Sequence, residues 1–288
     1  VGVAESESPQ DADIYGPGGA SFPTSAIDVY TLVVILVIAA GWTLAALPDT
    51  SSSAGKVLLS AAVACTAVAV ALQFLTHQRH FGYDPPLAGV MAAIVAGCFL
   101  APYHGQASAL LALCGGAIAA YAERLVKETE HRFVDTALAI TAVVLFGFLP
   151  MQVLLIRMLP LSDAAFFLFL LGAFVFTVTR SLLLDPRRPQ FYVLDTPTLA
   201  GVVGCVGIVA VAAGTAGGDF SVGTGFLVGG AIAGSSVAGQ LLARLLAPPP
   251  PLQADGRRRR RRPLLLDALM SVFTAAAAAY FVLRVVLV

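Results

Sequence analysis

Nine apolar runs, separated by short polar or proline-rich stretches, organise the chain: Val29–Leu47, Val57–Leu75, Leu87–Ala101, Ala107–Ala122, Ala137–Leu159, Ala164–Leu184, Leu199–Ala216, Val222–Leu242 and Leu264–Val288. A helix of about 20 apolar residues crosses about 30 Å of hydrocarbon. Lipid cannot satisfy bare backbone, and the runs lack the alternation of barrel strands, so they are read as helices. The expected fold is all-α, a polytopic transmembrane bundle of about nine helices. The third run, Leu87–Ala101, has 15 residues and is bracketed by Pro85, Pro86 and Pro102. At about 1.5 Å per residue it reaches only about 22 Å. If the third and fourth runs form a re-entrant hairpin, the crossings number seven.

Lysine and arginine give the orientation, because cytoplasmic loops of polytopic proteins are enriched in them. Sorted by alternate connections, one side receives Arg79, Arg124, Lys127, Arg132, Arg180, Arg187, Arg188, Arg244 and Arg257 to Arg262, fourteen of the seventeen. The other receives Lys56, Arg157 and Arg284, the last lying inside its run and expected to snorkel outward. The bias puts the N-terminus in the cytoplasm and the C-terminus outside, with the bundle in the cytoplasmic (inner) membrane of a bacterium. Three portions follow: an acidic tail over 1–25, N-terminal helices over 26–134, and C-terminal helices over 135–288. The tail carries Glu5, Glu7, Asp11 and Asp13 but no Lys or Arg, so it reads as a disordered segment and not as a secretory signal. After Ala122, the i,i+4 pairs Glu123–Lys127, Arg124–Glu128 and Glu128–Arg132 predict that the fourth helix continues into water. The connection 248–263, rich in proline and arginine, reads as flexible.

Composition agrees. Of 288 residues, 58% are hydrophobic and 12% charged, with a mean hydropathy of +0.86. A soluble domain carries about 25% charged residues. A soluble enzyme, a disordered protein and a nucleic-acid binder are set aside, and the expected partners are membrane lipids with anionic head groups. A homodimer or another membrane partner is also compatible. Cys65, Cys98, Cys114 and Cys205 sit apart inside apolar runs, without CxxC or zinc spacing, and read as small buried hydrophobes. Glycines crowd the last third, at 201, 204 and 207 and again at 223, 225, 229, 230, 234 and 239, where they let helix backbones approach closely.

Little in the chain carries evident chemistry. Asp219, in a Gly-Gly-Asp stretch, resembles the GxGD of intramembrane aspartyl proteases. Its counterpart after a tyrosine, Asp84, falls on the opposite side, so Asp219 is read as a loop residue. His77 and His80 precede Asp84 in an interfacial turn that lacks a fixed ligand frame. The six consecutive arginines attract anionic lipid without fixing it. Arg180, Arg187, Arg188 and Arg244 lie at or near helix ends and are better placed to hold anionic groups.

Three cytoplasmic stretches carry a resemblance. They read Pro197-Thr198-Leu199-Ala200-Gly201, then Ser235 through Arg244, then Leu266-Asp267-Ala268-Leu269-Met270-Ser271. In order and spacing the layout resembles the phosphatidate cytidylyltransferases, with Thr198, Gly201, Arg244, Leu266, Asp267 and Ser271 at matching positions over residues 135–288. The resemblance implies a CTP-dependent, metal-assisted nucleotide transfer to a phospholipid. In this chain the family's acidic and basic positions hold Ala200, Ser236, Gly239, Ala243, Ala268 and Met270. It therefore implies a degenerate member with an eroded catalytic site and a lipid-binding or accessory role. Asp267 would be the remnant catalytic residue and metal ligand, with Mg2+ needed only where activity is retained. Thr198, Gly201, Arg180, Arg187, Arg188, Arg244 and Ser271 would contact substrate. A small-solute transporter and a structural membrane subunit without a ligand site are the alternatives; the first is disfavoured by the lack of an internal repeat and of mid-membrane charge.

Overall fold

The computed structural model of the protein describes residues 37–45, 52–79, 82–126, 132–183, 195–215, 220–246 and 264–287. All regular structure among them is helical. Helix α1 covers residues 37–45, α2 Ser53–Arg79, α3 Leu87–Val126 and α4 Arg132–Ala142. A π-helical turn, Val143–Phe148, joins α4 to α5, Leu149–Ile156. Then follow α6 Ser162–Leu183, α7 Thr196–Thr215, α8 Val222–Leu246 and α9 Leu264–Leu287. Seven helical segments among the described residues are long and apolar enough to span a bilayer. The protein is a polytopic membrane helix bundle.

Helix α3 is two helices, the third and fourth apolar runs, folded back on each other. Pro102 removes a backbone donor, and Gly105 takes φ 67° and ψ −154°, a conformation open to glycine. The limbs then pack antiparallel through small residues: a Cβ on Gly89 would lie 3.1 Å from the Ala120 nitrogen, and Gly116 abuts Ala93. At the tip, Tyr103 lies under the Lys56 ammonium, 5.3 Å from ring centre, and the Gln106 amide oxygen accepts a hydrogen bond from Arg284 at 3.2 Å. At the base, Asp84 pairs with Arg79 and Arg124. Lys56 and Arg79 belong to opposite ends of α2, so each limb runs the length of the bundle rather than turning back halfway.

The centre belongs to α5. Pro150 through Ile156 are all buried, enclosed by α2, α3, α6 and α9. Pro150 offers no N–H to the Phe146 carbonyl and its ring crowds that turn; the π-helical widening just before it gives room. Gly147 lets Leu113 approach, and Met151 fills the notch at Gly97 on the hairpin. Trp42 of α1 closes the other flank, stacked on Phe273 at 6.4 Å and donating to the Thr66 hydroxyl at 3.3 Å.

The cations whose side chains are described fall at two ends of the bundle. Arg79, Arg124, Arg180 and Arg244 lie at one, where the Gln78 amide also donates to the Leu246 carbonyl at 3.3 Å. Lys56, Arg157 and Arg284 lie at the other, where Arg157 pairs with Asp163 and faces the Phe166 ring. One local expectation changes. Arg124, read as a solvated i,i+4 partner of Glu128, is 2% exposed. It reaches Asp84 at 3.3 Å and Asp135 at 3.8 Å, and Asp135 also accepts the Asp84 N–H at 2.9 Å. Interhelical pairing wins here because Asp135 is itself buried and needs a cation.

Candidate functional site

The C-terminal helices pack through glycine. A Cβ on Gly201 of α7 would lie 3.1 Å from the Phe176 carbonyl oxygen of α6; one on Gly225 of α8 would lie 2.6 Å from Ala210 Cα, and one on Gly229 3.0 Å from Val206 Cα. Along antiparallel neighbours, every turn gained on one helix is a turn lost on the other. The first turn of α7, with Thr198, therefore lies level with Arg180 on α6 and with the Val237–Gln240 stretch of α8.

Several polar groups converge there. Asp195 caps α7, its carboxylate accepting the Thr198 N–H at 3.0 Å. The Thr198 side chain stands three residues before Gly201 and seven before Cys205, on the face turned toward α6 and α8. It is wholly buried, and its hydroxyl has no hydrogen-bond partner among the described residues. Gln240 lies eleven residues, about three turns, beyond Gly229 on the face that meets α7. It is 5% exposed and bonds no described residue. Arg244 follows one turn later, beyond the start of α7, half-buried and without an ion-pair partner among the described residues. Arg180 closes the α6 side.

Thr198, Gly201, Arg180 and Arg244 thus share one end of the α6–α7–α8 group. Ser271 lies elsewhere. It is buried in the α8–α9 seam, its carbonyl accepting the Ser236 hydroxyl at 3.4 Å, and α9 makes no contact with α7. Asp267 lies in α9, but its side chain falls outside the described residues. So do Arg187, Arg188, Asp219, His80, the arginine run 257–262 and the tail 1–25. Among the described residues no three His, Cys, Asp or Glu side chains gather as a metal-ligand set. Asp195, Gln240 and the fully buried Gln152 of α5 were not singled out from the sequence. An amide inside an otherwise apolar run was the available signal for the two glutamines.

No family model and no curated protein matches the chain. The expectation of a phosphatidate cytidylyltransferase-like nucleotidyltransferase is accordingly withdrawn. Its six matching positions are spread over helices rich in Leu, Ala and Gly, where short coincidences arise from composition alone.

Proposed function

We propose that this protein is an inner-membrane protein that binds an anionic lipid head group at its arginine-bearing, cytoplasmic end, between α6, α7 and α8. The observation that carries the reading is the Thr198 hydroxyl, wholly buried and without a hydrogen-bond partner among the described residues, level with Arg180 and Gln240. Leaving such a group unsatisfied costs about 1–3 kcal/mol. A ligand oxygen recovers that, and Arg180 and Arg244 supply charge at the mouth. The orientation rests on the positive-inside bias. The test is native mass spectrometry of detergent-purified protein offered equal phosphatidylglycerol, phosphatidate and phosphatidylcholine. Both anionic lipids are expected to be retained over phosphatidylcholine, with the preference falling about tenfold in the Arg180→Ala/Arg244→Ala double variant, at about 1.5–3 kcal/mol per charged hydrogen bond partly offset by solvent. Equal retention of all three lipids refutes the reading.

A second reading, solute transport, draws on one observation. Gln152 is fully buried inside the bundle, about 7.5 Å along α5 from Arg157 at the far end; its Oε1 has no partner among the described residues and its amide donates to the Phe148 carbonyl at 3.3 Å, beside a π-turn and a proline. Interrupted helices that carry polar groups inside the bundle are features of transporters. In a variant lacking native cysteines, Gln152→Cys distinguishes the two. Labelling by impermeant thiol reagents from both sides supports transport; protection from both sides dismisses it.

A further inference from the structure

We propose that the groove between α1, α6 and α9 holds one acyl chain of the anionic lipid whose head group lies at Arg180. The inference rests on the head-group reading above and adds where the tail of that lipid goes. Ala39 and Trp42 of α1, Ala173 and Phe174 of α6, and Leu269 and Val272 of α9 line the groove, which offers about 360 Å³, part of it open to the surroundings. The small side chains of Ala39 and Ala173 leave room beside the Trp42 and Phe174 rings. The polar group in the lining side chains is the Trp42 indole N–H, and it already donates to the Thr66 hydroxyl at 3.3 Å. These walls answer no sugar, phosphate or water, so the occupant they suit is hydrocarbon.

The depth of the groove ties it to the arginine. Arg180 lies seven residues beyond Ala173, just under two turns, so it shares that face of α6 about 10 Å nearer the helix end. On α9, Leu269 lies five residues, about 7.5 Å, in from the same end of the bundle. The head-group layer is about 5–8 Å thick on each side of the hydrocarbon. A phosphate held at Arg180 therefore delivers its first methylenes at the mouth of the groove, and one unbranched chain continues past Ala173 toward Leu170. Any lipid of the bilayer can touch these walls in passing. A chain tethered to a phosphate at Arg180 is held against them at a raised local concentration, which is what separates the anionic lipid from the rest.

Trp42 is the one tryptophan of the chain, so its fluorescence reports on the groove alone. The full chain is placed in phosphatidylcholine vesicles containing a minor share of phosphatidylglycerol brominated on its acyl chains, bromine being a contact quencher of indole. With about a tenfold preference and about one-tenth of the lipid brominated, about half of the Trp42 emission should be quenched, against about one-tenth for brominated phosphatidylcholine at the same share. Arg180→Gln should bring phosphatidylglycerol down to the phosphatidylcholine level. Ala39→Phe, which fills the groove from α1 and leaves Arg180 in place, should remove the excess quenching while native mass spectrometry still shows head-group selection. Equal quenching by the two brominated lipids, in a protein that still retains phosphatidylglycerol over phosphatidylcholine in native mass spectrometry, overturns the inference and leaves the head-group reading standing. Excess quenching that persists in Arg180→Gln also overturns it, because the chain is then held without its anchor. Loss of the retention preference in the parent protein overturns both.

Discussion

Replacing Arg124 by alanine should destabilise the bundle by about 3–5 kcal/mol, the cost of breaking a buried ion pair by removing one partner. The Asp135 carboxylate is 1% exposed and Arg124 lies beside it, so removing the guanidinium breaks a buried ion pair. The same guanidinium reaches Asp84, which begins the hairpin, while Asp135 sits in the first turn of α4. Arg124 thus joins both ends of the hairpin to α4. Arg79 touches the same Asp84 at 2.9 Å, but both of those side chains are about half exposed. Arg79→Ala should therefore cost less than about 1 kcal/mol. Unfolding in detergent, by heat or by added dodecyl sulfate, measures both. Similar losses for the two variants would show that burial does not set the importance of this cluster.

Gly225→Val should be comparably damaging through packing alone. The first added carbon would lie 2.6 Å from Ala210 Cα and 2.9 Å from the Val209 carbonyl oxygen, both backbone atoms that cannot rotate away. The two helices must separate, and overpacking of this kind costs about 1–3 kcal/mol or more. Separation also draws Gln240 from the start of α7, so lipid binding should fall with stability. Gly230→Val supplies the comparison. A Cβ there meets nothing within 4 Å, and valine is a better helix former than glycine. Its melting temperature is expected at or above that of the parent. A Gly225→Val protein that melts with the parent would contradict the close α7–α8 approach.

The helical character of the bundle and the sorting of its cations were legible from the apolar runs and from alternation along the chain. Those depend on composition over 15–25 residues, which tertiary contacts do not alter. The hairpin's depth was not legible. Its limbs look short because Pro85, Pro86 and Pro102 interrupt hydropathy, yet the helix continues through Pro102 to Gly105. Arg124 was misplaced because an i,i+4 pattern is local, whereas its partners Asp84 and Asp135 are brought in by the fold. In the candidate site, Arg180 and Arg244 could be proposed from their positions near helix ends, whereas Thr198 entered only through the family resemblance. Gln240 stood out only as an amide in an apolar run, and its place beside α7 follows from the register set by Gly225 and Gly229, which the sequence does not give. Ser271 looked like a neighbour because sequence order cannot tell which flank of α8 a residue occupies.

The polar tip of the hairpin waits a long time for its partner. Gln106 bonds Arg284, 178 residues later, so on the ribosome the hairpin is finished well before the segment that seals its far end has been made. During that interval Lys56, against the Tyr103 ring, is the contact already synthesised at that end. Biogenesis thus includes a stage in which the early helices are inserted but open at one end. Arrival of α9 closes them at that end.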